Sequence, residues 1–558
     1  MPYTTLDHTG LKTPESLLDV PGPDMHPVLI ARHMLLLATY LQHLHPDLHK
    51  DIKGLSESPQ AIMKRLTDLA IRLVTTNDEL LGSIEGLECV MIESVYQVNI
   101  GNLRRSWVAG QRAMSIAQLM GLNRSDTQAQ YKVLDPENDY HPRLMWFRIV
   151  FLDRYLCLLL GLSQGSLDRT MASEAVLAND TPTGRLERIH CVIASRILER
   201  NESAPSSHGL ALTRALDTEL QSAARSLPSK WWLTPSLDTT CNDPQALFWN
   251  TRRIFAQVLH YNLLNQLHLP YMLHTSSANR GNPQYSRITC ANASREVLSR
   301  FITLRGFNGI AYSCRTVDFL ALMAAMTLLL AHLDSHSHSQ SEAENLLAHQ
   351  YHSDRAMIER VQENMEEVNR INSDTLSAQS ADLLRRLLTL DVETVDGCPR
   401  RAGRVSVREG GPESARPYQD DDAAVSVHIP YFGIIKIASE GVSKELPRPQ
   451  ATHVAPNQPV QPQRVDSSRI LSTGASHEEP QIPATGLAER NGMLDVEELR
   501  PVSADYGCVE APLHNGSFDP LLQQEEYPGL AARGEDWAFQ GVDMAFFESL
   551  MRSAGSED

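Results

Sequence analysis

Eight cysteines in 558 residues leave little room for disulfide staples. They stand at 89, 157, 191, 241, 290, 314, 398 and 508, no two closer than 24 residues. That spacing spells no CxxC pair and no zinc ribbon or finger. Basic residues are also scarce, 50 Lys and Arg against 68 Asp and Glu, for a net charge of −18. Affinity for a phosphate backbone rests on Lys and Arg, so this balance argues against a stand-alone nucleic-acid binder. The N-terminus, MPYTTLDHTG, lacks the basic-then-apolar pattern of a secretory signal. The longest uncharged apolar run, between Asp318 and Asp334, encloses 15 residues, whereas a membrane span needs about 20. HExxH, GxxxxGK[ST] and GxGxxG are all missing, which removes the anchors for zinc-protease and phosphate-cradling chemistry. A soluble protein of a reducing compartment is expected.

What the chain does have is helical periodicity over a long stretch. Apolar residues make up 42%, enough for a sizeable core. Pro27 can open a first helix carrying Ile30, Met34, Leu37, Ala38 and Leu41. Further sets are Ile62, Leu66, Leu69 and Leu73; Met91, Val95 and Val98; and Leu103, Trp107, Gly110, Met114 and Ala117. Gly121 suits a left-handed stop for the last of these. Another helix is expected from Pro142 through Trp146, Ile149, Val150 and Tyr155 to Gly161. Ile254, Val258 and Tyr261 form one stopped by Pro270, and Phe319–Leu329 and Met357–Val368 carry two more. No train of alternating strands intervenes, so the fold class is all-α, a large multi-helix domain over 27–392 after an N-terminal extension, 1–26.

Composition shifts after that. Residues 391–510 hold 12 of the 31 prolines, which predicts a Pro-rich disordered linker over 393–510. One island, VSVHIPYFGIIKI at 425–437, reads as an extended segment docking on a sheet edge or on the helical domain. Residues 510–558 contain ten Asp or Glu and two Arg. Within this acidic stretch Trp537, Phe539, Phe546, Phe547, Leu550 and Met551 supply large apolar groups, the later ones at helical spacing. So short a helix is marginal alone and gains order in a partner groove. The segment 511–558 is therefore expected to be a short amphipathic helix that binds a coactivator, with internal packing against the helical domain as the alternative.

Other constellations have competing readings. Gly161-Leu162-Ser163-Gln164-Gly165 matches the nucleophile elbow of serine hydrolases. The preceding LCLLL continues a helical pattern, so a helix end and turn is preferred over catalysis by Ser163. Asp153 and Arg154, with Arg143 and Arg148, could suggest an acid–base site, but on so apolar a helix an internal ion-pair network is favoured. His43, His45 and His49, and His332, His336 and His338, read as solvated loop histidines rather than metal ligands. Two basic pairs, Arg104–Arg105 and Arg252–Arg253, are too short to indicate nucleic acid. No catalytic or metal-ligating residue is assigned.

Several stretches, in order, resemble one family. RRSWVAGQRAMSIAQLMGLNR at 104–124, HPRLMWFRIVFLDRYLCLLLGLSQG at 141–165, LPSKWW at 227–232 and HYNLLNQLHLPYML at 260–273 are similar to successive signatures of the fungal-specific transcription factor domain, the middle homology region of the binuclear zinc-cluster regulators. PYFGII at 430–435 and WAFQGVDMAFFESLM at 537–551 resemble segments near the C-terminus of such regulators. The resemblance implies structural motif roles for Arg104, Trp107, Gly121, Leu122, Arg124, Arg143, Trp146, Asp153, Arg154, Gly161, Tyr261 and Pro270. It also implies a nuclear, non-enzymatic regulator, controlling a metabolic gene cluster and acting on a coactivator or a paralogous regulator, with a homodimer as a further option. Two departures, Phe147 for a second Trp and Gln164 for Arg or Pro, leave the expected helix intact. A third is larger. The six-cysteine module that holds two zinc ions and reads DNA in this family is not spelled in the sequence. The expectation is either a co-regulator that lacks it or a truncated gene, with zinc and DNA reached only through a missing module or a partner.

Overall fold

The computed structural model describes residues 19–395, apart from 44–54, 125–130, 137–139, 203–206, 237–243, 273–282, 308–314, 339–346 and 373–374, together with the backbone of 425–429, 433–438 and 441–445. Thirteen α-helices are formed among them: α1 Pro27–Gln42, α2 Pro59–Ala70, α3 Ile84–Asn99, α4 Leu103–Leu119, α5 Pro142–Leu160, α6 Glu174–Ala178, α7 Pro182–Glu202, α8 Ser207–Arg225, α9 Pro244–Met272, α10 Pro283–Phe307, α11 Arg315–His338, α12 Tyr351–Asn372 and α13 Thr375–Val395. Six of them open on a proline, where the missing N–H costs nothing and the preset φ already suits the helix. The all-α expectation for 27–392 holds, with α13 running three residues further.

Three helices form the interior. Every residue of α3 is buried, as is Leu144–Leu159 of α5. In α11, Arg315–Leu333 has the length and composition of a membrane span, yet 94% of it is buried inside this domain. Helices apolar all round belong in a core. One large apolar cluster joins α3–α5 to α7–α13, and a smaller one joins Val28 and Leu35 of α1 to Val74, Cys89 and Ile92.

Local physics moves several expected features. In α1 the buried face is Val28, Ala31, Leu35 and Ala38, while Ile30, Met34, Leu37 and Leu41 are only half-buried. The true face contains Arg32, which is tolerated because Glu88 of α3 takes its guanidinium at 2.5 Å. Leu73, expected on the apolar face of α2, is 59% exposed. A π-helical turn, Ile71–Thr75, follows Ala70 and breaks the 3.6-residue register. Pro270 does not stop α9, which continues to Met272. The carbonyl of Gln266, deprived of a donor by Pro270, is satisfied instead by Arg200 at 3.0 Å. His332 is no loop histidine. It lies in α11, and its Nε2 sits 2.7 Å from Asp354 of α12. His336 and His338 also belong to that helix, and His43 follows α1, half-buried, while His45 and His49 lie outside the described residues.

The island at 425–437 is more than one extended segment. Val425–Ile429, Gly433–Ala438 and Gly441–Glu445 form β1, β2 and β3, an antiparallel meander in the order β1-β2-β3. Val427 pairs with Ile435 and Lys436 with Ser443. The rest of the linker and the acidic-aromatic residues Trp537, Phe539, Phe546, Phe547, Leu550 and Met551 lie outside the described residues.

Candidate functional site

The densest polar constellation surrounds α5. Gly161 ends this helix in the left-handed region, φ 70°, and its N–H returns to the Cys157 carbonyl at 2.9 Å. The chain then runs past Ser163 as a loop, and three residues spaced along α5 hold it. Asp153 accepts from the Gly165 N–H at 2.8 Å, and from Gln111 of α4. Arg154 donates to the carbonyls of Ser166, Asp168 and Cys191. The Trp146 indole donates to Asp168 at 2.7 Å. Burial pushes the Asp153 carboxyl up and its donors offset only part of that. Asp153 and Arg154 are thus loop latches, and of the four charged residues expected to form an internal ion-pair network Arg148 is the one seen in a buried pair.

The ion pairs lie one turn away. Glu187 of α7 takes Arg148 of α5 at 3.1 Å and Arg252 of α9 at 2.9 Å, so one carboxylate ties three helices. Burial alone would raise Glu187, but Arg252 and Arg148 hold it below the usual carboxylate range. Arg188 pairs with Asp180 at 2.5 Å and lies 4.4 Å from the centre of the Phe147 ring. Phe147, the departure from a second Trp, still offers that aromatic face to the cation.

A second constellation holds the LPSKWW turn. Arg253 donates to the carbonyls of Lys230, Trp231 and Leu233, Gln257 to that of Trp231, and Arg300 to that of Trp232 at 2.7 Å. Behind it, the Trp232 ring lies 4.7 Å from that of His260, whose Nδ1 is 3.0 Å from Nε2 of His190. Tyr261 stacks under Arg300 at 4.8 Å. Arg252 and Arg253 are therefore committed to internal contacts.

The remaining motif residues are dispersed. Gly121, φ 77°, closes α4 while Leu122 is buried beneath it. Trp107 packs half-buried on the main core. Arg104, Arg124 and Arg143 are exposed. The partners Glu187, Arg200, Gln257 and Arg300 escaped sequence reading because each contact joins elements distant in the chain, and Arg188 because its carboxylate lies in the turn just before α7.

Serine-hydrolase geometry is contradicted. A helix, not a strand, precedes Gly161, and the Ser163 carbonyl accepts from the Cys157 thiol at 3.2 Å. Zinc does not fit the described residues either. Cys89, Cys157, Cys191 and Cys290 are buried, with burial holding each thiol above its usual pKa. No group of three or more His, Cys, Asp or Glu able to hold a metal occurs among the described residues.

No family model matches the chain and no solved structure matches it. Curated proteins do. A dehydrocurvularin biosynthesis regulator of Alternaria cinerariae is 55% identical over 99% of this chain and 76% of its own length. A protein of the same description in Aspergillus terreus is 55% identical over 100% and 77%. The probable transcription factor gsfR1 of Penicillium aethiopicum is 36% identical over 96% and 75%. These relatives are regulators rather than enzymes, and with such identity across so much of both partners the chain belongs to this family of fungal transcription regulators.

Proposed function

We propose that the chain is a nuclear regulator of the zinc-cluster type that controls a biosynthetic gene set. Region 27–392 is read as the middle homology domain and segment 511–558 as the effector. The observation that carries the reading is the 55% identity, over essentially the whole chain, to two regulators named for one biosynthesis. The helical domain supplies a rigid body for contacts with a paralogous regulator or a second copy. Trp537, Phe539, Phe546, Phe547, Leu550 and Met551 recruit the coactivator. DNA and zinc are reached through a separate module or through a partner.

A reporter assay tests the effector. The full chain is fused to a heterologous DNA-binding domain, and the reporter is compared with and without Trp537→Ala, Phe546→Ala and Phe547→Ala together. Loss of output is expected, and unchanged output refutes the role. The net charge of −18 favours, as a second reading, a co-regulator that works without touching DNA. Co-purification with a zinc-cluster paralogue tests it, and capture of none would refute it.

A further inference from the structure

The LPSKWW turn combines a rigid main chain with side chains left at the surface. Its carbonyls from Lys230 to Leu233 are held by Arg253, Gln257 and Arg300. Yet Leu233 is 66% exposed, and Trp231 and Trp232 are only half-buried, packed on a small separate cluster of Leu186, Ala223 and Leu227. Lys230 and Arg225 are exposed beside them, and Arg253 lies 5.9 Å from the Trp231 ring. Preordered aromatic anchors with a cationic rim are the makings of a binding hot spot.

We propose that this turn is the seat of the chain's own acidic-aromatic segment, 537–551, which docks there when no coactivator holds it. The proposal rests on the reading of that segment as the effector. Charge selects the occupant: residues 510–558 carry ten acidic groups against two Arg, with Glu535, Asp536, Asp543 and Glu548 interleaved among the aromatics. The apolar groups would meet Trp231 and Leu233 while the carboxylates meet the exposed Lys230 and Arg225. Chain length permits it: residues 446–536, 91 positions, separate the last described strand from the segment and can reach at most roughly 300 Å.

Hydrogen exchange of the full chain, read by mass spectrometry, tests the docking. The amides of 537–551 should exchange about tenfold more slowly than in the isolated synthetic peptide. Leu233→Asp should remove that slowing and Lys230→Glu should weaken it, with protection of α9 unchanged as the control for folding. Exchange as fast as in the free peptide, slowing that survives both variants, or slowing that vanishes on dilution (a second copy as occupant) would each overturn the proposal. The reporter assay with the triple alanine variant reads the effector role separately, so the two ideas fail independently.

Discussion

Arg200 occupies the place in α9 that Pro270 leaves without a donor. Its Nη2 reaches the Gln266 carbonyl at 3.0 Å and its Nη1 the Leu267 carbonyl at 2.6 Å, with Thr213 as a further acceptor at 2.9 Å. Burial lowers the guanidinium to about 10, so it stays charged at neutral pH. A helix can thus keep a proline two residues from its end because another helix, α7, brings the replacement donor.

Replacing the donor should be costly. Arg200→Met leaves the buried Gln266 carbonyl without a donor and takes a second donor from that of Leu267, and is expected to lower stability by about 2–3 kcal/mol. In a Pro270→Ala background the helix regains an N–H for Gln266, so the same substitution should cost about 1 kcal/mol less. Urea denaturation of the four proteins measures this coupling, and equal losses in both backgrounds would refute the relationship.

Gly184 is needed at the start of α7 for space. A Cβ there would lie 2.0 Å from Oδ1 of Asp180, the carboxylate that holds Arg188 and caps the Thr181 N–H. Gly184→Ala should therefore break a buried ion pair, at a cost of about 3–5 kcal/mol. A chemical denaturation midpoint equal to that of the wild type would contradict it.

The paired histidines set an acid limit. Burial pushes His190 well down and His260 down to about 4, with a neighbouring His or Arg adding to each. Unfolded histidines take a proton at about 6.5, so below that pH the unfolded chain binds more protons than the native one. Stability is fully present above about pH 6.5 and is lost as pH falls toward 4, with His260 alone accounting for about 3 kcal/mol. Urea midpoints across that range should fall for the wild type and fall less for His190→Gln combined with His260→Gln. Parallel curves would rule the pair out as the cause.

Ser163 should be inert. A fluorophosphonate probe is expected to leave the chain unlabelled, and Ser163→Ala to leave stability within about 0.5 kcal/mol. Labelling at Ser163 would contradict the loop assignment.

Local rules were readable wherever the answer is local. Pro27 and Pro142 start helices, and Gly121 and Gly161 take positive φ where the sequence asked for a stop. Reading failed where a distant partner reverses a local preference. Arg32 enters a buried face because Glu88 is there, and Pro270 stays helical because Arg200 is there. His332 is buried because Asp354, itself held by Arg295, meets it. The site followed the same division. Trp146, Asp153 and Arg154 were singled out from the chain, but their work, holding a loop through its backbone, emerges only when residues 163–168 fold back onto α5.

The central claim is that this chain regulates transcription of a biosynthetic gene set, and transcript profiling after disruption of its gene tests that most directly. Transcripts of a co-regulated set of biosynthetic genes should collapse in the disruptant and return on complementation with the intact gene. Transcript levels indistinguishable from wild type under producing conditions would contradict the account.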